Sequence, residues 1–104
     1  MEPLTKIKLI TRTKTGRDAM GQTQYTETSR DVYAAMLSIT RNEYFTAGQI
    51  GITPECGFIV SSFDYKNEQL LEYGGRKYRI YRVYPASLNE TELYCAYAAG
   101  ANGG

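Results

Sequence analysis

The stretch GRKYRIYRVY, residues 75–84, interleaves Arg76, Lys77, Arg79 and Arg82 with Tyr78, Tyr81 and Tyr84. Cations neutralise phosphates and aromatic rings stack on bases, so this alternation is what a surface for single-stranded nucleic acid needs. The structural alternative is a strand with a charged outer face, its tyrosines packing inward with their hydroxyls at the rim. A formal net charge of +1 supplies no global attraction to polyanions, which favours the structural reading. The alternative function is then a small OB-like β-barrel binding through Arg76, Lys77, Arg79, Arg82 and Tyr81.

A second stretch, SITRNEYFTAGQIG, residues 38–51, has the signals of a short helix. Thr40 and Glu43 have capping-box spacing: the Thr40 hydroxyl serves the third helical amide and the Glu43 carboxylate reaches back to the Thr40 amide. Ile39 and Tyr44 form a hydrophobic staple across this start, and Gly48 or Gly51 supplies the left-handed stop. Two to three turns do not persist alone in water, so the helix must dock through Tyr44, Phe45 or Ala47. Either it plugs one end of the fold, or it is displayed to a partner with Arg41, Asn42, Glu43 and Gln49 outward.

Catalysis finds little support. The chain has no histidine, so Ser61, Ser62 and the two cysteines lack the usual base for a nucleophile. Glu90 and Glu92 fit a solvated strand edge better than an acid/base pair. No phosphate-binding, nucleophile-elbow or dinucleotide fingerprint is present. We therefore expect no catalytic residues and no cofactor. Cys56 and Cys95 lie far apart in sequence and match no zinc spacing, so no metal site is expected. They read as small packing residues on strands, a disulfide requiring a secreted context that the sequence does not indicate. Asn89-Glu90-Thr91 matches a glycosylation sequon, read here as a set of turn residues.

These side chains must be positioned by strands. TKIKLITRT, residues 5–13, alternates Ile7, Leu9 and Thr11 against Lys6, Lys8 and Arg12, with Ile10 breaking the polar face. Lys14 to Gly21 reads as a loop and Gln22 to Glu27 as an exposed strand. VYAAMLSI, Val32 to Ile39, reads as a separate strand buried on both faces, and Cys56 to Phe63 as an interior strand. Gly74-Gly75 provides the positive φ pair of a tight hairpin between Gln69 and Tyr84. Pro85 ends that run, and Glu92 to Ala98 alternates again. The expected fold is mainly β: a small antiparallel β-barrel or sandwich of five to seven strands with one short helix, over residues 1–98, followed by a flexible tail at 99–104. No apolar run approaches the roughly 20 residues of a membrane-spanning helix, and the N-terminus lacks a secretory h-region. The expected setting is a reducing cytoplasm, or export only as part of a larger assembly.

The order of these features resembles the head-tail joining, or head-closure, proteins of tailed bacteriophages. The resemblance rests on the polar first strand, Asp18-Ala19-Met20-Gly21, VYAAMLSI, the R-N-E-Y-F-x-A-G-Q segment at Arg41 to Gln49, the Y-G-G-R-K-Y-R-I hairpin at Tyr73 to Ile80, and ELYCA. It covers nearly the whole chain. It implies a non-enzymatic β-barrel at the virion head-tail interface, present in the host cytoplasm before assembly. By the same resemblance it would form a ring of twelve copies around a DNA channel, between the portal or adaptor protein and a tail-completion protein, gripping the passing DNA at most weakly. The helical segment would lie near the lumen or a neighbouring subunit. Lys14 to Gly21 and the tail would become ordered on assembly.

Overall fold

The computed structural model describes residues 4–98, so the tail expected at 99–104 lies outside the described residues. Within them the elements run β1 (Leu4–Arg17), β2 (Thr23–Leu37), α1 (Arg41–Gly48), β3 (Cys56–Ser61), β4 (Leu70–Tyr73), β5 (Arg76–Pro85) and β6 (Glu90–Tyr97). The strands pair antiparallel and close on themselves in the order β1-β2-β3-β6-β5-β4. The fold is thus mainly β, as expected, and a barrel in preference to a sandwich.

Alternation along the strands fills the interior. Ile7 and Leu9 of β1, Val32 and Ala34 of β2, Phe58 and Val60 of β3, Leu71 of β4, and Leu93 and Cys95 of β6 form one buried cluster. Tyr73, Tyr78 and Ile80 pack against it. Phe58 is fully buried and meets the Tyr73 ring edge-on at 5.3 Å between centroids. Burial of a side chain of this size stabilises the fold by about 1.5–3 kcal/mol. Ile10, the residue that broke the polar alternation, is buried too. It lies on the other face, opposite Ser29 and Leu70.

Three local expectations are corrected. Thr23 to Glu27 and Val32 to Leu37 belong to one continuous strand, β2, because β1 supplies a partner along almost its whole length. VYAAMLSI is not buried on both faces: Val32 and Ala34 point inward while Tyr33 and Met36 are exposed, and the strand stops at Leu37. The expected loop from Lys14 is strand as far as Arg17, with a register shift between Lys14 and Gly16. The turn is confined to the Asp18 region, where the Asp18 carboxylate accepts from the backbone N–H groups of Met20 and Gln22, both at 2.9 Å. Gly21 takes φ +82°, open to glycine at little steric cost.

The β1–β2 ladder outruns the barrel. β4 pairs with β1 only over Lys8 to Ile10, and β3 pairs with β2 only from Ala34. The Thr11–Arg17 and Thr23–Thr28 stretches therefore pair only with each other, as a projecting two-stranded ribbon. This arm accounts for overall dimensions of 51 × 31 × 24 Å.

Candidate functional site

The helical segment is built largely as its sequence implies at the start. Thr40 is extended, with φ −78° and ψ 159°, and its hydroxyl accepts from the Glu43 backbone N–H at 3.1 Å. The other half of the expected capping box is absent, because the Glu43 carboxylate is engaged elsewhere. At the far end Gly51, with φ +78°, takes the left-handed position, and the Ile52 N–H returns to the Ala47 carbonyl at 2.9 Å.

The docking of the helix differs from the plug reading. None of the interior cluster comes from α1, so the helix does not plug the barrel. The segment folds back over the outer face instead. Gly57 of β3 lies opposite Leu37, on the outward face that alternates with Phe58. A Cβ at Gly57 would stand 3.2 Å from the tip of Ile39 and 3.3 Å from two Leu37 side-chain carbons. The missing side chain makes room for the strap that begins α1.

Glu43 was expected to face outward, and this is corrected: it is 6% exposed. Its carboxylate accepts from the Tyr81 hydroxyl at 2.6 Å and from Arg82 Nη1 at 2.7 Å. Both donors come from adjacent residues of β5, which ordinary alternation would place on opposite faces. A β-bulge between Ile80 and Arg82 resolves this: Ile80 pairs with Cys95 and Arg82 with Tyr94, leaving Tyr81 as the extra residue. Tyr81 and Arg82 then share the outer face and clasp one carboxylate. Burial, and secondly the bond to Glu43, push the Tyr81 hydroxyl well above its ordinary pKa. The Arg82 guanidinium also lies 5.2 Å from the Tyr94 ring centroid. Tyr94 is pushed up to about 12 by burial and by its bond to Glu92.

Ala47 is the other buried residue of the helix, while Tyr44 and Phe45, offered as docking residues, are 48% and 67% exposed. Arg41, Asn42 and Gln49 are exposed, as expected.

The cationic strand is largely consumed internally. Lys77 bonds Glu27 of the ribbon at 3.0 Å, Arg82 holds Glu43, and the Tyr81 hydroxyl is spent on the same carboxylate. Arg76 donates to the Tyr97 hydroxyl at 2.7 Å and lies over that ring, while Tyr78 stacks on Tyr97 with centroids 5.5 Å apart. Arg79 lines a shallow hollow with Arg12, Asn67 and Gln69. Of the four cations in the patch, only Arg76 and Arg79 have no carboxylate partner among the described residues.

The outer wall carries two contrasting rows. Asp31, Lys8, Glu72 and Lys77 stand directly opposite one another across β2, β1, β4 and β5, alternating in sign. Leu4, Ala35 and Ile59 form an apolar row across β1, β2 and β3. Tyr33, 60% exposed, lies beside it, bordering the same hollow. The apolar row was not singled out from sequence, because its members come from three separate segments. Glu68 was missed for the same reason: this buried residue accepts from Arg30 Nε at 2.9 Å and the Lys66 backbone N–H at 2.7 Å. It ties the β3–β4 connection to β2.

No family model matches the sequence, and no curated protein matches it. Among solved structures, a chain in the virion of a native gene transfer agent particle superposes with a TM-score of 0.50 at 13% identity, covering 91% of this chain and 94% of that one. At this identity the likeness is one of fold.

Proposed function

We propose that the chain is a structural connector of a tailed phage or related particle, a head-tail joining or head-closure protein that assembles as a ring around the DNA channel. The single observation that carries this reading is the likeness of fold to a virion chain over nearly the full length of both partners. The surface is compatible with it. A ring needs two different faces on each copy that meet after a fixed rotation. Here the Leu4–Ala35–Ile59 row with Tyr33 and the Phe45–Ile50 side of the helical strap are separate apolar exposures. Tyrosine suits such contacts, offering area and a polar tip. The internal pairing of Lys77 and Arg82 fits a protein that lets DNA pass without gripping its phosphates.

In this reading Arg41, Asn42 and Gln49 face a neighbouring subunit or the lumen, and portal or adaptor and tail-completion proteins cover the ring's two sides. No catalytic step is assigned. The test is co-expression with portal and adaptor proteins of the same particle, followed by light scattering and electron microscopy. Closed rings that are lost in Tyr33→Asp and Phe45→Asp variants with intact folds are the expected result. A chain that stays monomeric with those partners, or binds short single-stranded DNA with a steep salt dependence, overturns it.

A further inference from the structure

Cys56 and Cys95, remote in sequence, are direct partners in the β3–β6 register, and both are free thiols. Opposed residues of an antiparallel pair point to the same face with Cβ atoms roughly 4.5–5.5 Å apart. The Cα separation of such pairs falls within the span that a disulfide bridges. The face is the barrel interior: Cys95 belongs to the buried cluster and Cys56 packs against it. The proximity of the two thiols holds the Cys56 thiol below its ordinary pKa and, with burial, pushes that of Cys95 up.

Access is equally asymmetric. Cys95 is fully buried, whereas Cys56 is half-buried and borders a surface hollow of about 460 Å³ beside the helical strap, lined by Met36, Ile39 and Tyr44. One thiol is therefore placed to meet an oxidant, and the other to resolve the product.

We propose that Cys56 and Cys95 form a redox-responsive dithiol that closes to a cross-strand disulfide when the protein meets a low-molecular-weight disulfide such as oxidised glutathione. The Cys56 thiolate attacks one glutathione sulfur, forming a mixed disulfide and expelling glutathione thiolate. Cys95 then gives up its proton and attacks the Cys56 sulfur, expelling the second glutathione. Two protein thiols and one glutathione disulfide become one protein disulfide and two glutathione thiols. The bond staples β3 to β6 across the barrel wall and closes a loop of about 40 residues in the unfolded chain, a length at which cross-linking restricts the unfolded ensemble strongly. This inference does not rest on the assembly reading. A particle protein made reduced in a cell and released to an oxidising medium would gain the staple after release.

The test exposes the folded, reduced protein to glutathione disulfide, quenches with acid, alkylates under denaturing conditions and measures intact mass. The expected product is a monomer lighter by two hydrogens that takes up no alkylating reagent. Its thermal midpoint should be raised by on the order of 10 °C and restored by dithiothreitol. Cys95→Ala should stop at a stable glutathione adduct on Cys56. If that variant fails to fold, Cys56→Ser serves in its place, with Cys95 expected to stay unreacted until unfolding. A wild-type protein that accumulates the mixed disulfide, forms intermolecular dimers, or keeps both thiols alkylatable overturns the proposal.

Discussion

Replacing Glu43 by alanine should release the helical strap and leave the barrel standing. The carboxylate accepts two charge-assisted hydrogen bonds, each worth about 1.5–3 kcal/mol when the groups are buried. The two do not count equally. The Arg82 side chain is 43% exposed, so solvent compensates it and its share falls below about 1 kcal/mol. The Tyr81 hydroxyl is only partly accessible and loses its acceptor. Together the loss is about 2–3 kcal/mol. An eight-residue helix has almost no stability of its own, and no ladder of the barrel passes through it, so the loss should fall on the strap. Amide exchange at residues 44–52 should then quicken by roughly 30- to 150-fold. Exchange in β3 and β6 should barely change. Glu43→Gln keeps an acceptor for Tyr81 and should lose less than half of this, and Tyr81→Phe should be non-additive with Glu43→Ala. Unchanged exchange in the helix would refute the clasp. Cooperative loss of the sheet signal would instead make the helix integral to the barrel.

Alkaline titration should expose the raised tyrosines, Tyr81 and Tyr94 foremost. A phenol whose folded pKa exceeds its unfolded value near 10 contributes stability that is complete below that value and is lost as pH rises through the folded one. Stability to urea should therefore be level below about pH 10 and fall between about 10 and 12, the window that Tyr94 defines. Tyr94→Phe should flatten that fall. Gly57→Val should destabilise the protein by about 1–3 kcal/mol in chemical denaturation, since the added methyls meet Ile39 and Leu37 at a spacing already tight for a single Cβ. A neutral Gly57→Val would mean that the strap does not press on β3.

Much of the fold was legible because it is written locally. The alternation of Ile7 with Leu9, the Gly74-Gly75 turn and the Thr40 cap each need only a few neighbouring residues. Where the reading failed, the deciding partner was distant. Glu43 looked like a surface residue of a capping box because nothing within its own segment announces Tyr81 and Arg82. The bulge that brings those two to one face has no glycine to mark it. The break assumed before Val32 came from the polarity of Gln22 to Glu27, yet cross-strand pairs such as Arg12 with Glu27 hold polar residues in a ladder as firmly as apolar ones. Cys56 and Cys95 became neighbours only once the β3–β6 register was known. The cationic tyrosine strand was read correctly as a strand, but not the acceptors that occupy its charges.

The closure of the barrel has a mechanical side. β1 and β2 grip each other along almost their whole lengths, whereas β1 meets β4 over only three residue pairs, Lys8 with Glu72, Leu9 with Leu71 and Ile10 with Leu70. A load applied to the projecting ribbon reaches the barrel through β1 and β2, and the short β1–β4 seam is the part least able to resist it. The wall is therefore less like a pipe than a spring clip, closed last at its shortest joint. A partner that seizes the ribbon has leverage over whether that joint stays shut.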